Sequence, residues 1–221
     1  MIVDKHLLLV FVGNLLLLSF SAYLGTYVML YRKSLIGDAV AHATLPGICI
    51  AIMLTGVRST TTVFIGGAVG GILGVAYIYY IGSFKKTKQD SAITTSLVSL
   101  FALGTALLSF IQQRADTNIA GINSFFFGQA TSLLTGDVTL IFAIVLVSTI
   151  ALLALHRHLR TIIFDRSFAK LLGLPVELID SCFVVIIVLA ITLMLHSIGM
   201  ILSVSGLILP AVTAGLWTAN L

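Results

Sequence analysis

Charge is the scarcest feature of this 221-residue sequence. Only 9% of the residues are charged, Glu177 is the single glutamate, and 59% of the residues are hydrophobic, with a mean hydropathy of +1.15. Soluble domains carry about 25% charged residues, so a chain of this composition cannot cover a surface that faces water. The sequence therefore predicts an integral membrane protein.

Cysteines and nucleotide-binding motifs are also scarce or missing. Cys49 and Cys182 stand alone in apolar runs, which supports neither a disulfide framework nor a thiolate zinc site. No G-x-x-x-x-G-K-[ST] phosphate loop and no H-E-x-x-H motif occurs. Any nucleotide chemistry must therefore come from another chain. The formal net charge of +4 arises between the apolar runs, where basic residues orient a membrane protein rather than bind nucleic acid.

Long apolar runs fill most of the chain. They cover about 7 to 31, 35 to 57, 59 to 84, 91 to 113, 138 to 155 and 178 to 217, the last being long enough for two crossings. Unpaired backbone groups are too costly in lipid for anything but helices or closed barrels, and the runs lack the alternation of barrel strands. We predict an all-α polytopic helical bundle of about 6–8 transmembrane helices, forming one transmembrane domain over 1–221 and starting with a retained anchor.

Polar and small residues between and within these runs refine the prediction. The segment 117 to 136 is rich in Asn, Gln, Gly, Ser and Thr, which favours a short, broken or re-entrant helix. The basic stretches at 32 to 33, 85 to 88 and 156 to 160 then fall on one side, which should be cytoplasmic. In "GGAVGGILG", glycines recur every four residues from Gly66, which favours close packing between helices.

Asp38 and His42 are the candidate site within the second run. Four positions separate them, so on a helix they share one face about 6 Å apart along the axis. A carboxylate and an imidazole suit Zn²⁺, Mn²⁺ or Fe²⁺, and an incomplete ligand set lets a transported ion leave again. The alternative is structural: Asp38 caps the helix and His42 bonds a neighbouring helix.

Four further residues, near this site or in the last run, have candidate roles. Pro46 and Gly47 can loosen the helix and form a hinge. Cys49 lies on a similar face to His42, but plain packing is the favoured interpretation. His196 is a secondary metal candidate, and an interhelical hydrogen bond is an equal alternative for it.

Five stretches along the chain carry a more specific signal. They are "RKSLIGDAVAHATLPG" at 32 to 47, "QDSAITTSLVSLFALGTALLS" at 89 to 109, "FFFGQATSLLTGDV" at 125 to 138, "FDRSFAKLLGLPVELID" at 164 to 180 and "IGMILSVSGLILPAVTA" at 198 to 214. In this order and spacing they resemble the ABC-3 permeases, the membrane subunits of bacterial zinc, manganese and iron importers. The resemblance implies the ABC-3 fold, similar to that of type II importers, and implies that Asp38 and His42 contact the transported ion.

The resemblance also implies a cytoplasmic coupling segment at about 156–176 that docks into a separate ATPase subunit. Its candidate coupling residues are Asp165, Arg166, Phe168, Ala169, Leu172 and Gly173. Polar residues at the start, an apolar stripe and a Gly-x-Pro ending agree with a short amphipathic helix. The residues alone would favour a helix that rests on lipid.

The implied function is that of the membrane subunit of an ATP-binding cassette importer for Zn²⁺ or Mn²⁺, with Fe²⁺ as a third candidate, in the bacterial cytoplasmic (inner) membrane. The implied partners are a cytoplasmic ABC ATPase, an extracytoplasmic metal-binding protein, a second permease copy in a homo- or heterodimer, and membrane lipid, with no nucleic acid. Neither a permanently bound cofactor nor covalent chemistry is expected.

Three alternatives stay open at this stage. Family members usually extend beyond the last matching stretch, so the chain looks C-terminally truncated and could be a non-transporting remnant. A permease for a metal chelate or siderophore is a second alternative. A membrane metalloenzyme is the third, although no third strong ligand is apparent from the sequence.

Overall fold

The structure is a computed structural model that describes residues 2–57, 59–84, 88–114, 128 and 135–217. Over these ranges the chain forms long helices joined by short connections. In chain order they are α1 (Ile2–Leu30), α2 (Ser34–Thr55), α3 (Thr60–Gly82), α4 (Gln89–Arg114), α5 (Thr135–Phe164), α6 (Arg166–Leu171), α7 (Val176–Ile198) and α8 (Met200–Trp217).

Seven of these helices are long and apolar enough to cross a membrane. This confirms the predicted all-α bundle, including the two crossings in the run from 178 to 217. The fifth span is longer than the sequence predicts. Its apolar run ends near 155, but the helix continues to Phe164 because the basic stretch "HRHLR" is also helical. The helix predicted for 117 to 136 lies almost entirely outside the described residues.

Helices α2 and α7 form the centre of the bundle. They are the most buried of the candidate spans: 67% of the apolar stretch of α2 and 72% of that of α7 are buried inside the bundle, whereas the other spans are mostly exposed. Helix α2 packs against α3 and α4, and α7 packs against α3, α5 and α8. The main apolar core includes Phe183, Ile187 and Ile191 of α7, all fully buried. The candidate site on α2 is therefore carried by one of the two central helices.

The glycines of α3 allow two helices to approach it closely. Gly66 and Gly70 face the backbone of α2 at Gly47, while Gly67 and Gly71 face side chains of α7. A Cβ at Gly70 would lie 2.9 Å from Gly47 Cα, closer than real Cβ contacts. The predicted packing role of these glycines is confirmed, and it fixes α2 against α3.

One end of the bundle gathers the described basic segments. The Tyr27 hydroxyl and His156 Nδ1 share a hydrogen bond of 2.6 Å, which joins the end of α1 to the basic part of α5. Lys33 lies 3.7 Å from Asp180 at the start of α7, and Arg166 contacts the same carboxylate. Residues 32 to 33 and 156 to 160 thus share one side, as predicted, whereas residues 85 to 87 of the third basic stretch lie outside the described residues. We call this side the basic end.

Candidate metal-ion site

Asp38 and His42 lie one turn apart on α2, as their spacing predicts. His42 Nε2 and Asp38 Oδ1 are 3.5 Å apart. Helix α2 begins at Ser34, directly after a tight turn in which Arg32 adopts a φ of 54°. The N-cap position is therefore Lys33, and the alternative that Asp38 caps the helix is wrong. Asp38 stands inside the helix and is available for another role.

The pair opens onto a cavity of about 530 Å³ between α2, α4 and α8. Its walls are mostly apolar, and its lining residues are Ser34, Leu35, Asp38, His42, Phe101, Met200, Ile201, Val204, Ser205 and Ile208. The side chain of Asp38 is 42% exposed and that of His42 is 21% exposed, so both can be reached from the cavity. Two ionisable groups thus face an open space within a largely apolar wall.

The His42 ring is held by an aromatic neighbour rather than by a hydrogen bond that the structure shows. It packs edge-to-face on Phe101 of α4, with ring centroids 4.7 Å apart. Its Nδ1 is buried and has no hydrogen-bond partner among the described residues. Its Nε2 points toward the Asp38 carboxylate. The arrangement presents one imidazole nitrogen and one carboxylate oxygen close together, which is a donor set that suits a transition-metal dication.

The described part of the chain does not complete a resident metal centre. It contains no group of three or more His, Cys, Asp or Glu side chains placed to hold an ion together. His196 therefore does not join Asp38 and His42 in such a group, and its metal role stays a prediction. Cys49 packs with Leu45, Leu108 and Ile111 against α4, as favoured from the sequence.

Pro46 and Gly47 lie within the continuous helix α2. Gly47 makes close backbone contact with α3, and Pro46 lies beside Gly104 of α4, where an added Cβ would be 2.9 Å from Pro46 Cδ. These contacts give both residues a packing role. The predicted hinge stays a prediction.

Of the predicted coupling segment at about 156–176, residues 156–164 form the end of α5 and residues 166–171 form the short helix α6 at the basic end. Asp165 caps it, since its Oδ1 accepts hydrogen bonds from the backbone N–H groups of Ser167 at 2.8 Å and Phe168 at 3.0 Å. The helix ends at Leu171 with Leu172 as its C-cap, and Gly173 follows with a φ of +74°, while the Leu174 N–H donates to the Ala169 carbonyl. This is a Schellman ending, which glycine favours because it adopts a positive φ without strain.

The segment is anchored on one face and open on the other. Ala169 is fully buried, whereas Phe168 is 51%, Leu171 86% and Leu172 57% exposed. Beside it lies a groove of about 520 Å³ lined by His156, Arg157, Arg160, Thr161, Phe164 and Phe168. An apolar ridge next to a basic groove is a surface suited to a protein partner with apolar and acidic residues.

Sequence reasoning missed a second polar cluster, centred on Asp180. This aspartate is 5% exposed, accepts a hydrogen bond of 2.8 Å from Arg166 and another from the Tyr31 hydroxyl, and lies 3.7 Å from Lys33 Nζ. Burial and this hydrogen bond raise the pKa of Tyr31. Burial lowers the pKa of Lys33, and the Asp180 charge partly opposes this. The available signal was an acidic residue inside an apolar run, which is costly unless it is paired.

A bundle of apolar helices, seven of them long enough to cross a membrane, defines a class, that of polytopic helical membrane proteins. Sequence comparison gives the family. The chain belongs to the ABC 3 transport family, whose profile matches residues 4–221. It is a multi-pass protein of the bacterial cytoplasmic membrane.

Individual relatives agree with this family. The chain is 42% identical over 212 residues to the manganese transport system membrane protein MntC of Bacillus subtilis, covering 96% of this chain and 49% of the relative. It is 36% identical over 218 residues to the zinc transport system membrane protein TroC of Treponema pallidum, covering 99% and 73%. The chain thus spans about half the length of the Bacillus relative.

A solved structure supports the fold. PsaBC from Streptococcus pneumoniae in complex with Fab superimposes with a TM-score of 0.82 at 27% identity, covering 97% of this chain and 74% of that chain. The predicted ABC-3 permease fold is thereby confirmed.

Proposed function

We propose that this chain is the membrane-spanning permease of an ABC importer that carries a transition-metal dication, Zn²⁺ or Mn²⁺, with Fe²⁺ as a third candidate. The observation that carries the proposal is the Asp38 and His42 pair, with 3.5 Å between donor atoms, at the wall of an open cavity on a central helix. The names of the relatives, a manganese and a zinc transport protein, agree with this cargo class.

The pair suits brief rather than permanent binding. Two protein ligands leave the remaining coordination positions to water or to groups that approach during transport, so the ion can both arrive and leave. The carboxylate supplies the negative charge that offsets the cost of a dication among apolar walls, and the imidazole favours a transition metal over Mg²⁺ or Ca²⁺. His196 is kept as a secondary metal candidate, and Pro46 with Gly47 as a candidate hinge for opening the path.

Helix α6 would receive the force for transport from a separate ATPase subunit. Ala169 packs against the bundle, while Phe168, Leu171 and Leu172 are exposed. A partner can therefore bind the exposed face and move the segment as a unit. ATP hydrolysis in that partner would then drive alternating access of the cavity beside Asp38. This chain would itself carry out no covalent chemistry and hold no permanent cofactor.

Two further partners complete the proposed importer. An extracytoplasmic metal-binding protein would deliver the ion to the end opposite the basic end, and a second permease would complete the path. The basic end would face the cytoplasm, because basic residues between spans favour that side. In this orientation the ATPase meets α6 and the positive groove beside it.

The test is metal uptake by cells that contain the complete transporter. Uptake of radioactive zinc and manganese is compared for wild type, Asp38→Asn and His42→Gln at matched membrane levels. Asp90→Asn serves as the control, because it makes the same chemical change at an exposed position that does not line the cavity. Loss of one carboxylate or imidazole ligand is expected to reduce uptake by about tenfold or more.

The proposal is supported if wild type and the Asp90 variant accumulate one of the metals and both site variants do not. It is refuted if all four proteins accumulate the metal equally. Uptake of a metal chelate without uptake of the free ion would instead favour the siderophore alternative.

A further inference from the structure

The Asp180 cluster joins three parts of the chain at the basic end. Asp180 belongs to central helix α7, Arg166 is the first residue of α6, and Tyr31 and Lys33 form the connection between α1 and α2. All three partners reach the same carboxylate: Arg166 donates a hydrogen bond of 2.8 Å, Tyr31 donates through its hydroxyl, and Lys33 Nζ lies 3.7 Å away. One buried carboxylate thus contacts both α6, which is proposed to bind the ATPase, and the start of α2, which carries the candidate site.

The two cations hold Asp180 unequally. Arg166 makes a short, charge-assisted hydrogen bond, but about half of its side chain is exposed. Lys33 is 7% exposed, and its Nζ has no hydrogen-bond partner among the described residues, although it lies 4.3 Å from the centre of the Tyr31 ring. A buried ammonium held only by a longer contact would gain from a closer approach to the carboxylate.

Space for such an exchange is present next to the cluster. A cavity of about 470 Å³ is bordered by Lys33, Arg166, Asp180 and, from α3 and α4, Tyr79 and Gln89. If a partner displaces Arg166, the Asp180 carboxylate loses its charge-assisted hydrogen bond and its attraction to Lys33 is no longer shared. Lys33, which borders the same cavity, can then move closer to the carboxylate.

Movement of Lys33 reaches the candidate site along a rigid path. Lys33 is the N-cap residue of α2, and Asp38 lies five residues further, about 7.5 Å along the axis. A helix transmits a shift at its end along its length because its hydrogen bonds hold successive turns together.

We propose that Asp180 is a positioning residue for transport: it exchanges between Arg166 of α6 and Lys33 at the start of α2, and so passes movement of α6 to Asp38 and His42. This proposal rests on the proposed function and adds to it the route of coupling. Asp180 itself does not contact the ion.

The experiment measures transport and ATP hydrolysis separately. The complete transporter is reconstituted in vesicles with wild type, Asp180→Asn, Lys33→Met or Glu177→Gln. Glu177→Gln is the matched control, since it neutralises an exposed acid three residues before Asp180 on the same helix. Lys33→Met keeps an apolar stem and leaves Asp180 with its hydrogen bonds from Arg166 and Tyr31, so it is not expected to weaken the fold.

We expect Asp180→Asn and Lys33→Met to assemble and hydrolyse ATP, while metal transported per ATP falls by about tenfold. The Glu177 variant should match wild type. An unchanged amount of metal transported per ATP in Lys33→Met overturns the proposal, because coupling then does not need the charge of Lys33. Loss of assembly in both variants also overturns it, because the cluster then only holds the fold. If wild type carries none of zinc, manganese and iron, the proposed function itself fails, which is a distinguishable result.

Discussion

Substitution of Gly47 by alanine tests how closely α2 and α3 are packed beside the candidate site. A Cβ at this position would lie 2.3 Å from the Gly66 carbonyl oxygen and 2.6 Å from Gly70 Cα. Both are backbone atoms, so no side chain can rotate away to make room. The two helices must instead separate or shift along each other.

The size of the effect follows from these distances. Ordinary contacts of a Cβ begin at 3.4 Å, so α2 and α3 would have to part by about 1 Å along that contact. Overpacking of this kind costs about 1–3 kcal/mol, and backbone obstruction favours the upper part of the range. For a chain of this size each kcal/mol lowers the melting temperature by about 2–4 °C. We therefore expect Gly47→Ala to melt about 4–12 °C below wild type.

The assay is thermal unfolding of the purified protein in detergent, with Gly136→Ala as the control. Among the described residues, no heavy atom outside its own helical turn lies within 4 Å of a Cβ at Gly136, and this residue lies in the first turn of α5. Alanine there should stabilise slightly, by up to about 1 kcal/mol, because it lowers the entropy of the unfolded chain. Equal melting temperatures for wild type and Gly47→Ala would refute the packing argument and would favour the hinge role instead.

Three further predictions concern the site and the basic end. His42→Cys should shift transport toward softer cations, so that cadmium competes more strongly with zinc uptake than in wild type; unchanged competition would mean that residue 42 does not contact the ion. Leu171→Asp places a charge on a side chain that is 86% exposed, so it should preserve the melting temperature but abolish co-purification of the ATPase; full co-purification would exclude α6 as the docking site. The pKa of Tyr31 is raised in the folded protein, so the folded protein keeps this proton at a pH where the unfolded chain, with an ordinary pKa of 10.0, begins to lose it. The free energy of unfolding should therefore fall as the pH rises past 10, and Tyr31→Phe should lessen this fall.

The spans could be predicted from the sequence because length and apolar composition alone decide whether a helix can cross lipid. The close helix contacts could also be predicted, since a four-residue repeat of glycine has few uses other than backbone approach. The start of α2 could not. It depends on a turn in which Arg32 adopts a positive φ, and arginine gives no local signal for that conformation. For this reason the sequence alone could not exclude that Asp38 caps α2, whereas the structure shows Lys33 at the N-cap position.

Asp38 and Asp180 show why one site could be found from the sequence and the other could not. Asp38 has its partner His42 four residues away on the same helix, so helical geometry alone brings the pair together. The partners of Asp180 lie 14 residues away at Arg166 and 149 residues away at Tyr31, so tertiary packing alone assembles the cluster. A pair on one helix can be predicted from its spacing. A cluster that joins distant segments leaves only one signal in the sequence, which is a charged residue inside an apolar run. Any residue that couples distant segments must draw its partners from those segments, so coupling residues belong to the second kind.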